Sequence, residues 1–192
     1  MIYCLYMEPG RVALFIDGGN LYRHLRRAGV PKGAKFDHSA LVEFLLRGRT
    51  LVSKTYYIGA VRNYDHTLKS QQMVESQQKF LGKLEGEGFI IKRGHIVYDH
   101  AIREKGVDVQ IAIDLVVGAI ENVYDSAVVV SSDTDLIPAI RYVREKGKKV
   151  EYAGFSIQPS LGMARESSLS ILLLPEDVRR FTTTEAGDTA NQ

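Results

Sequence analysis

Short, continuous apolar runs that stop at Asp, Ser or Gly constrain the fold of this chain more than any other feature. The two clearest runs cover residues 12–16, which stop at Asp17, and residues 127–130, which stop at Ser131. Four or five apolar residues without alternation are typical of a strand buried on both faces, as in a parallel sheet. Because a segment with helical spacing follows each run, the sequence predicts strands that alternate with helices.

The same patterns predict the order of elements along the whole chain. Strands are predicted at residues 12–16, 50–61, 89–91, 127–130, 149–153 and 171–174, and helices at residues 21–28, 39–47, 64–87, 107–123, 136–146 and 160–167. This alternation predicts an α/β fold of three layers, with a mainly parallel central sheet and right-handed crossovers. We expect one domain over residues 11–181 and a disordered tail over residues 182–192, which are almost without apolar side chains.

Composition excludes some classes of protein but leaves the function open. With 45% hydrophobic and 25% charged residues and a formal net charge of +2, the chain has the balance of an ordinary globular protein. The single cysteine, Cys4, excludes an internal disulfide and a cysteine-based zinc cluster, and favours a reducing compartment. The chain contains no signal-peptide pattern and no apolar run of the ~20 residues that span a bilayer, so we expect a cytoplasmic protein.

Acidic side chains follow the predicted strands where ligands bind in parallel sheets, beyond the carboxyl ends of the strands. Asp17 ends the first apolar run, Asp133 and Asp135 follow the run at residues 127–130, and Asp108 lies in the predicted first turn of a helix. Asn20, one turn beyond Asp17, is placed to orient a water or a phosphate, or to close the start of its helix. We expect these side chains to meet at one edge of the sheet.

Carboxylates brought together in this way raise one another's pKa unless a cation intervenes. Oxygen-only clusters suit Mg²⁺ or Mn²⁺, which can offset the charge on a phosphodiester during hydrolysis. The alternative is that each aspartate only caps a helix or faces its dipole. Asp114 lies about 240° around the helix from Asp108, and we expect it to be a structural residue against a partner such as a basic side chain or a backbone N–H.

Three segments carry a resemblance to a known family. Residues 15–21 (FIDGGNL), 105–109 (KGVDV) and 130–136 (VSSDTDL) together resemble the NYN domain family, and within it the LabA-like branch. The resemblance covers residues 12–174 and implies a Rossmann-like, PIN-like sheet and a metal-dependent ribonuclease. It further implies that Asp17, Asp108 and Asp133 hold Mg²⁺ or Mn²⁺, with Asn20 and Asp135 beside them. Ser132 and Leu136 depart from the common Gly and Phe, and neither change removes an oxygen ligand.

Basic side chains near these segments are candidates for holding nucleic acid. Arg93, Arg103 and Lys105 belong to a basic stretch that leads into Asp108, and Arg62 follows the second long strand. They could steer a phosphate backbone, and Tyr98 could stack on a base; a solvated loop is an equal alternative. The basic residues of the first helix are predicted to form a solvated face: Arg23, His24, Arg26 and Arg27.

Three other functions fit parts of the sequence. A haloacid-dehalogenase-like phosphatase would use Asp133 and Asp135 as nucleophile and acid, but that pair comes late in the chain and Gly19 stands where the first strand would need a second acid. A Toprim-like site would need a glutamate after the first strand. An RNA-binding regulatory protein without catalysis would keep the same fold. RNA, single-stranded, is the partner that the resemblance implies, and a homodimer is compatible with the sequence.

Overall fold

A computed structural model describes residues 10–61, 67–99 and 101–183, and within residues 95–105 only the backbone. Its strands are β1 (Arg11–Asp17), β2 (Lys35–Phe36), β3 (Thr50–Gly59), β4 (Ile90–Asp99), β5 (Ala101–Lys105), β6 (Ser126–Val130), β7 (Lys149–Phe155), β8 (Leu169–Leu173) and β9 (Thr182–Thr183). Its helices are α1 (Gly18–Arg27), α2 (His38–Leu46), α3 (Leu68–Gly86), α4 (Val107–Ile120), α5 (Ile137–Glu145), α6 (Leu161–Glu166) and α7 (Pro175–Arg180), and a 3-10 helix at Thr134–Leu136 precedes α5. None of these helices has an apolar stretch of the length that crosses a membrane.

The central sheet has the strand order β5-β4-β3-β1-β6-β7-β8. All neighbouring strands are parallel except β5, which is antiparallel to β4 at the edge. The predicted α/β fold with a mainly parallel sheet is therefore confirmed. The chain builds outward from β1 through β3 to β4 and then crosses to β6, on the other side of β1. Such a reversal of strand order opens a crevice at the carboxyl ends of the strands.

Two hydrophobic cores sandwich the sheet and explain why the strands lack an alternating pattern. Leu14 and Ile16 of β1 pack in the core that includes α1, α2 and α3, whereas Ala13 and Phe15 pack in the core that includes α4, α5 and α6. Since successive strand side chains point to opposite faces, both faces of β1 need apolar residues. The continuous apolar runs thus record a three-layer structure.

The structure differs from the sequence-based prediction at the basic stretch and near the tail. A solvated loop was one alternative for residues 92–105. Of these, residues 92–99 belong to β4 and residues 101–105 form β5, and the two strands pair from His95↔Lys105 to Asp99↔Ala101. The β-branched and aromatic residues of this stretch favour strands. Thr182–Thr183, assigned to the tail, pair with Lys35–Phe36, so the folded part ends later than predicted, and residues 184–192 lie outside the described part. Helix α7 was not predicted.

His38 is a buried titratable group on the face of the sheet that carries α2. Its exposure is 7%, and rings surround it with centroid distances of 5.1 Å to Phe36, 5.6 Å to Tyr56, 5.5 Å to Phe80 and 6.3 Å to Phe89. Its Nδ1 lies 3.1 Å from the carbonyl oxygen of Phe36, which identifies Nδ1 as the protonated nitrogen, because a carbonyl only accepts. Burial lowers the pKa of His38 from 6.5 to about 4.

We expect this histidine to make the protein less stable in acid. Because the pKa of His38 is lower in the folded protein, the unfolded chain binds more protons than the folded one between pH 6.5 and about 4. The free energy of unfolding therefore decreases as the pH is lowered through that window. Protonation of His38 should lower the free energy of unfolding by about 3 kcal/mol over this window. Urea unfolding at several pH values should therefore show a shallower acid slope for His38→Phe than for the wild-type protein. Identical slopes would contradict the assignment.

Candidate metal centre

Asp17 is the last residue of β1 and lies at the reversal of strand order. It is 5% exposed and accepts two hydrogen bonds, from the backbone N–H of Asn20 at 2.9 Å and from Ser131 Oγ at 3.0 Å. Burial raises the pKa of the Asp17 carboxyl against the opposing effect of these hydrogen bonds, and Asp133 raises it further. Asp17 therefore does cap α1, as the alternative held, and is also a buried carboxylate at the predicted edge.

Asp133 and Asp135 lie in the segment that follows β6. Asp133 accepts a hydrogen bond from the backbone N–H of Asp135 at 2.9 Å and so caps the 3-10 helix. The backbone N–H of Asp133 donates to Ser131 Oγ at 3.2 Å, the same hydroxyl that donates to Asp17. Ser131, which is 2% exposed, thereby joins the two strand ends. Asp135 is exposed.

Asp108 enters the same region from α4. The helix begins after Gly106, whose φ of +90° favours glycine, and Asp108 lies in the first turn. Burial raises the pKa of Asp108, and Asp133, Asp17 and Asp135 raise it further, in that order. Asp108 therefore lies within electrostatic reach of Asp133, Asp17 and Asp135, and the use of these acids as one metal site stays a prediction.

The donor chemistry of this cluster fits a hard divalent cation. Its charged groups are carboxylates, and within the residues whose side chains are described Asp17, Asp108 and Asp133 form no salt bridge. Over the same residues, no three His, Cys, Asp or Glu side chains already stand as one set of metal ligands. The carboxylates are thus ligands of the kind that Mg²⁺ or Mn²⁺ prefers.

Asn20 joins α1 to the loop after β6. It is 7% exposed, and its Oδ1 accepts a hydrogen bond from the backbone N–H of Ser132 at 3.1 Å. That oxygen is therefore engaged in holding the loop that carries Asp133. The Asn20 side chain thus contacts the loop after β6, whereas the Asp17 carboxylate closes the start of α1. A role of Asn20 in orienting a water or a phosphate stays a prediction.

Tyr152 braces the same loop from β7, and sequence reasoning missed it. Its fully buried hydroxyl lies 3.0 Å from Ser132 Oγ and accepts from the backbone N–H of Ser160 at 3.0 Å. A Cβ at Gly154 would stand 2.0 Å from that hydroxyl, so only glycine leaves room for it. A tyrosine inside an apolar strand gives no sequence signal for this contact.

Asp114 has the structural role expected for it. Its carboxylate accepts hydrogen bonds from Tyr57 Oη at 2.7 Å, from Lys92 Nζ at 2.7 Å and from Gln110 Nε2 at 3.2 Å. Lys92 is the basic partner that the sequence analysis anticipated. This network ties α4 to β3 and β4, and so helps to fix the helix that carries Asp108.

The predicted nucleic-acid residues are described only in part. Arg93 is exposed on β4 and lies one residue beyond Lys92, which is at the level of Tyr57 and Asp17 in the strand register. Two strand spacings, roughly 10 Å, separate it from β1. The side chains of Arg103 and Lys105 in β5, and that of Tyr98, are not among those described. Arg62 lies outside the described residues.

An open cavity of about 320 Å³ lies between α1 and the loops after β6 and β7. Arg23, His24 and Arg27 line one wall, Asp133 lies at the acidic cluster, and Gln158 belongs to the far wall. Three of the basic residues predicted to form a solvated face, Arg23, His24 and Arg27, therefore line a cavity beside Asp133. Sequence spacing alone could not show that the loop after β7 stands opposite α1.

Comparisons with known proteins agree with this architecture. The family model of the NYN domain matches residues 11–170. A solved structure, that of a protein of unknown function from Vibrio parahaemolyticus, superposes with a TM-score of 0.68 at 20% identity, over 86% of this chain and 93% of that one. Among functionally curated proteins, none matches the sequence. None of these results supports the phosphatase alternative.

The family match covers most of the chain and includes all three aspartate segments. NYN domains are a family of PIN-like nucleases, which generally use divalent metal ions, so the family implies a nucleic-acid substrate. The confirmed α/β sheet and the gathered carboxylates agree with such a fold. The chain belongs to the NYN domain family of PIN-like nucleases.

Proposed function

We propose that this protein is a metal-dependent ribonuclease that hydrolyses phosphodiester bonds of single-stranded RNA. The observation that supports the proposal best is that Asp17 and Asp133 raise the pKa of Asp108 beside the point where the strand order reverses. Burial and mutual repulsion of these carboxylates favour the capture of a cation. The preference for RNA over DNA rests on the resemblance to the NYN domain family.

Asp17, Asp108 and Asp133 would hold Mg²⁺ or Mn²⁺. When bound, such an ion offsets charge on the phosphodiester and lowers the pKa of the attacking water. The Ser131 hydroxyl donates to the Asp17 carboxylate and accepts from the backbone N–H of Asp133, and so links the two segments that carry these acids. Asp135, exposed beside them, is proposed to orient the attacking water.

The substrate path is proposed to follow the basic side chains that flank the acids. Arg93 is exposed on the β4 side, and Arg103, Lys105 and Arg62 remain candidates for the same surface. Their charge would attract the phosphate backbone and make binding dependent on salt. A homodimer stays a prediction.

The test is cleavage of labelled single-stranded RNA with Mg²⁺, with Mn²⁺ and with EDTA. We expect cleavage that needs the ion and falls at least about hundredfold in Asp17→Asn/Asp133→Asn. Asparagine keeps an oxygen that can cap both helices, so the fold should persist. Glu85→Gln/Glu145→Gln, which removes two negative charges from exposed residues of α3 and α5, is the matched control. Equal cleavage by the double variant would point to another site or a contaminant.

A second candidate function is RNA binding without turnover. The observation that favours it is that no ready set of three metal ligands stands among the described side chains. It predicts that purified protein binds RNA in EDTA and leaves RNA and DNA intact in either ion. Fluorescence anisotropy beside the cleavage assay separates the two functions.

A further inference from the structure

We propose that the cavity beside α1 binds a phosphate group of the nucleic-acid strand, next to the one that is cleaved. We call it the α1 phosphate subsite and define it by Arg23, His24, Arg27 and Gln158. The inference deepens the proposed nuclease function and rests on it for the identity of the ligand. It gives a binding role to a face of α1 that the sequence analysis predicted to be only solvated.

The lining residues of α1 form one face that starts at the acids. Arg23 and His24 lie three and four residues after Asn20, and Arg27 lies four and three residues after them; such spacings place side chains on one side of a helix. The helix begins beside Asp17, so this face leads away from the carboxylates. Asn20 and Arg27 are separated by a rise of about 10 Å along the helix axis. A strand with its reacting phosphate at the acids can therefore reach the arginines with a neighbouring phosphate.

The two arginines have no carboxylate in direct contact within the described part of the chain, and Arg23 acts on Asp17 only from a distance, by lowering its pKa. Both are exposed, and neither forms a salt bridge with a described side chain. Other arginines do have carboxylate partners: Arg11 with Asp125, Arg49 with Glu151 and Arg141 with Glu166. Guanidinium groups match the geometry of phosphate oxygens with paired donors. Two of them one turn apart fit a phosphate better than they fit a solvated face.

His24 supplies an independent observation that points to a ligand. The side chain lines the cavity but is only 6% exposed, and its ring stacks on Phe155 at 5.1 Å and 9°. Its Nδ1 is buried and has no hydrogen-bond partner among the described residues. Buried polar atoms without partners are rare and costly in folded proteins. The His24 ring therefore has an unused hydrogen-bonding nitrogen in the wall of the cavity.

The rest of the cavity gives the subsite its direction. Gln158, on the far wall, adopts a φ of +61°, which residues other than glycine seldom do and which clusters at ligand sites. Its amide adds a neutral donor. Asp133 lies at the end toward the acids and repels a phosphate there unless a cation intervenes. The cavity is thus acidic at one end and basic at the other, and this asymmetry would fix how an RNA strand lies across the site.

The first test is binding of a 12-nucleotide single-stranded RNA, labelled at its 3′ end, by the full chain in EDTA. Arg23→Gln/Arg27→Gln should bind at least about tenfold more weakly, and the dependence on salt should fall by about one released counterion. Arg179→Gln/Arg180→Gln, which removes the same charge from exposed residues of α7, is the matched control and should bind as the wild-type protein does. Equal affinity of the two double variants would overturn the proposal, as would no binding by the wild-type protein at low salt.

RNA with a 5′-phosphate and RNA with a 5′-hydroxyl distinguish the two sources of the phosphate. Loss of the arginine effect with the 5′-hydroxyl would identify a terminal phosphate, and an unchanged effect would identify one within the backbone. Both results support the subsite. His24→Phe keeps a ring against Phe155 and removes the nitrogens, so it should bind severalfold more weakly while remaining folded. Unchanged affinity would overturn the assignment of His24.

Failure of this inference is distinguishable from failure of the nuclease function. If RNA is bound in a way that depends on Arg23 and Arg27 but never cleaved, the subsite stands and the nuclease proposal falls. If cleavage is lost in Asp17→Asn/Asp133→Asn while the arginine variant binds RNA normally, the nuclease proposal stands and the subsite is wrong.

Discussion

Asp108→Asn should lower metal-dependent RNA cleavage at least about hundredfold and leave the free energy of unfolding unchanged or higher. Loss of a group that only supports a metal ligand costs about 10–100-fold, so loss of a proposed ligand should cost at least as much. Asp108 tests the metal site more cleanly than Asp17 or Asp133, because those two also cap helices. Its replacement separates the chemistry from the fold.

The expected gain in stability follows from the electrostatics of the free protein. Burial raises the pKa of Asp108, and three further carboxylates raise it again, so the ionised side chain opposes folding at neutral pH. Asparagine removes the charge and keeps the shape. The favourable interaction of an acid with the first turn of α4 is also lost, but this is worth only about 0.3–1 kcal/mol.

Glu121→Gln is the control for this experiment because it neutralises an exposed carboxylate at the other end of α4. Cleavage and denaturant unfolding of this variant should match those of the wild-type protein. An Asp108→Asn protein that cleaves RNA at the normal rate would remove Asp108 from the metal site. One that unfolds would show that its carboxylate is needed for the structure instead.

The strand ends were predictable because burial on both faces leaves a pattern in one dimension. The apolar run before Asp17 fixes a central strand, and in a parallel sheet its end must lie beside the end of the run before Ser131. The hydrogen bond from Ser131 to Asp17 is a consequence of that register. The sequence alone therefore predicts that Asp17 and the acids after Ser131 lie at one edge of the sheet.

Contacts between loops were not predictable in the same way. The Tyr152 hydroxyl can lie beside that of Ser132 because Gly154 leaves room for the tyrosine, and no spacing in the chain encodes this contact. The basic face of α1 was interpreted as solvated because the loop that carries Gln158 lies more than a hundred residues away in the sequence. Hydrophobic periodicity predicts which face of a helix or strand is buried. It does not predict which loop lies opposite an exposed face.

Arg49 and Glu151 form the buried ion pair whose loss should destabilise the fold most. Their side chains are only 5% and 4% exposed, and Arg49 Nη2 donates to Glu151 Oε2 at 2.9 Å. The same guanidinium donates to the carbonyl oxygens of Leu45 and Leu46 at 3.1 and 3.0 Å. The pair thus ties the end of α2 to β7 across the sheet, between residues that no local pattern connects.

We expect Arg49→Met and Glu151→Leu each to lower the free energy of unfolding by about 3–5 kcal/mol, because each leaves one charge buried without its partner. The double variant should lose much less than the two single losses combined, since it buries no charge, and a double-mutant cycle in urea measures that difference. Arg141→Met provides the exposed comparison: its pair with Glu166 has an arginine side chain that is 59% exposed, so the loss should stay within about 1 kcal/mol. Additive losses at Arg49 and Glu151 would show that water or other groups satisfy each charge, and that the layers are held together by their apolar cores alone.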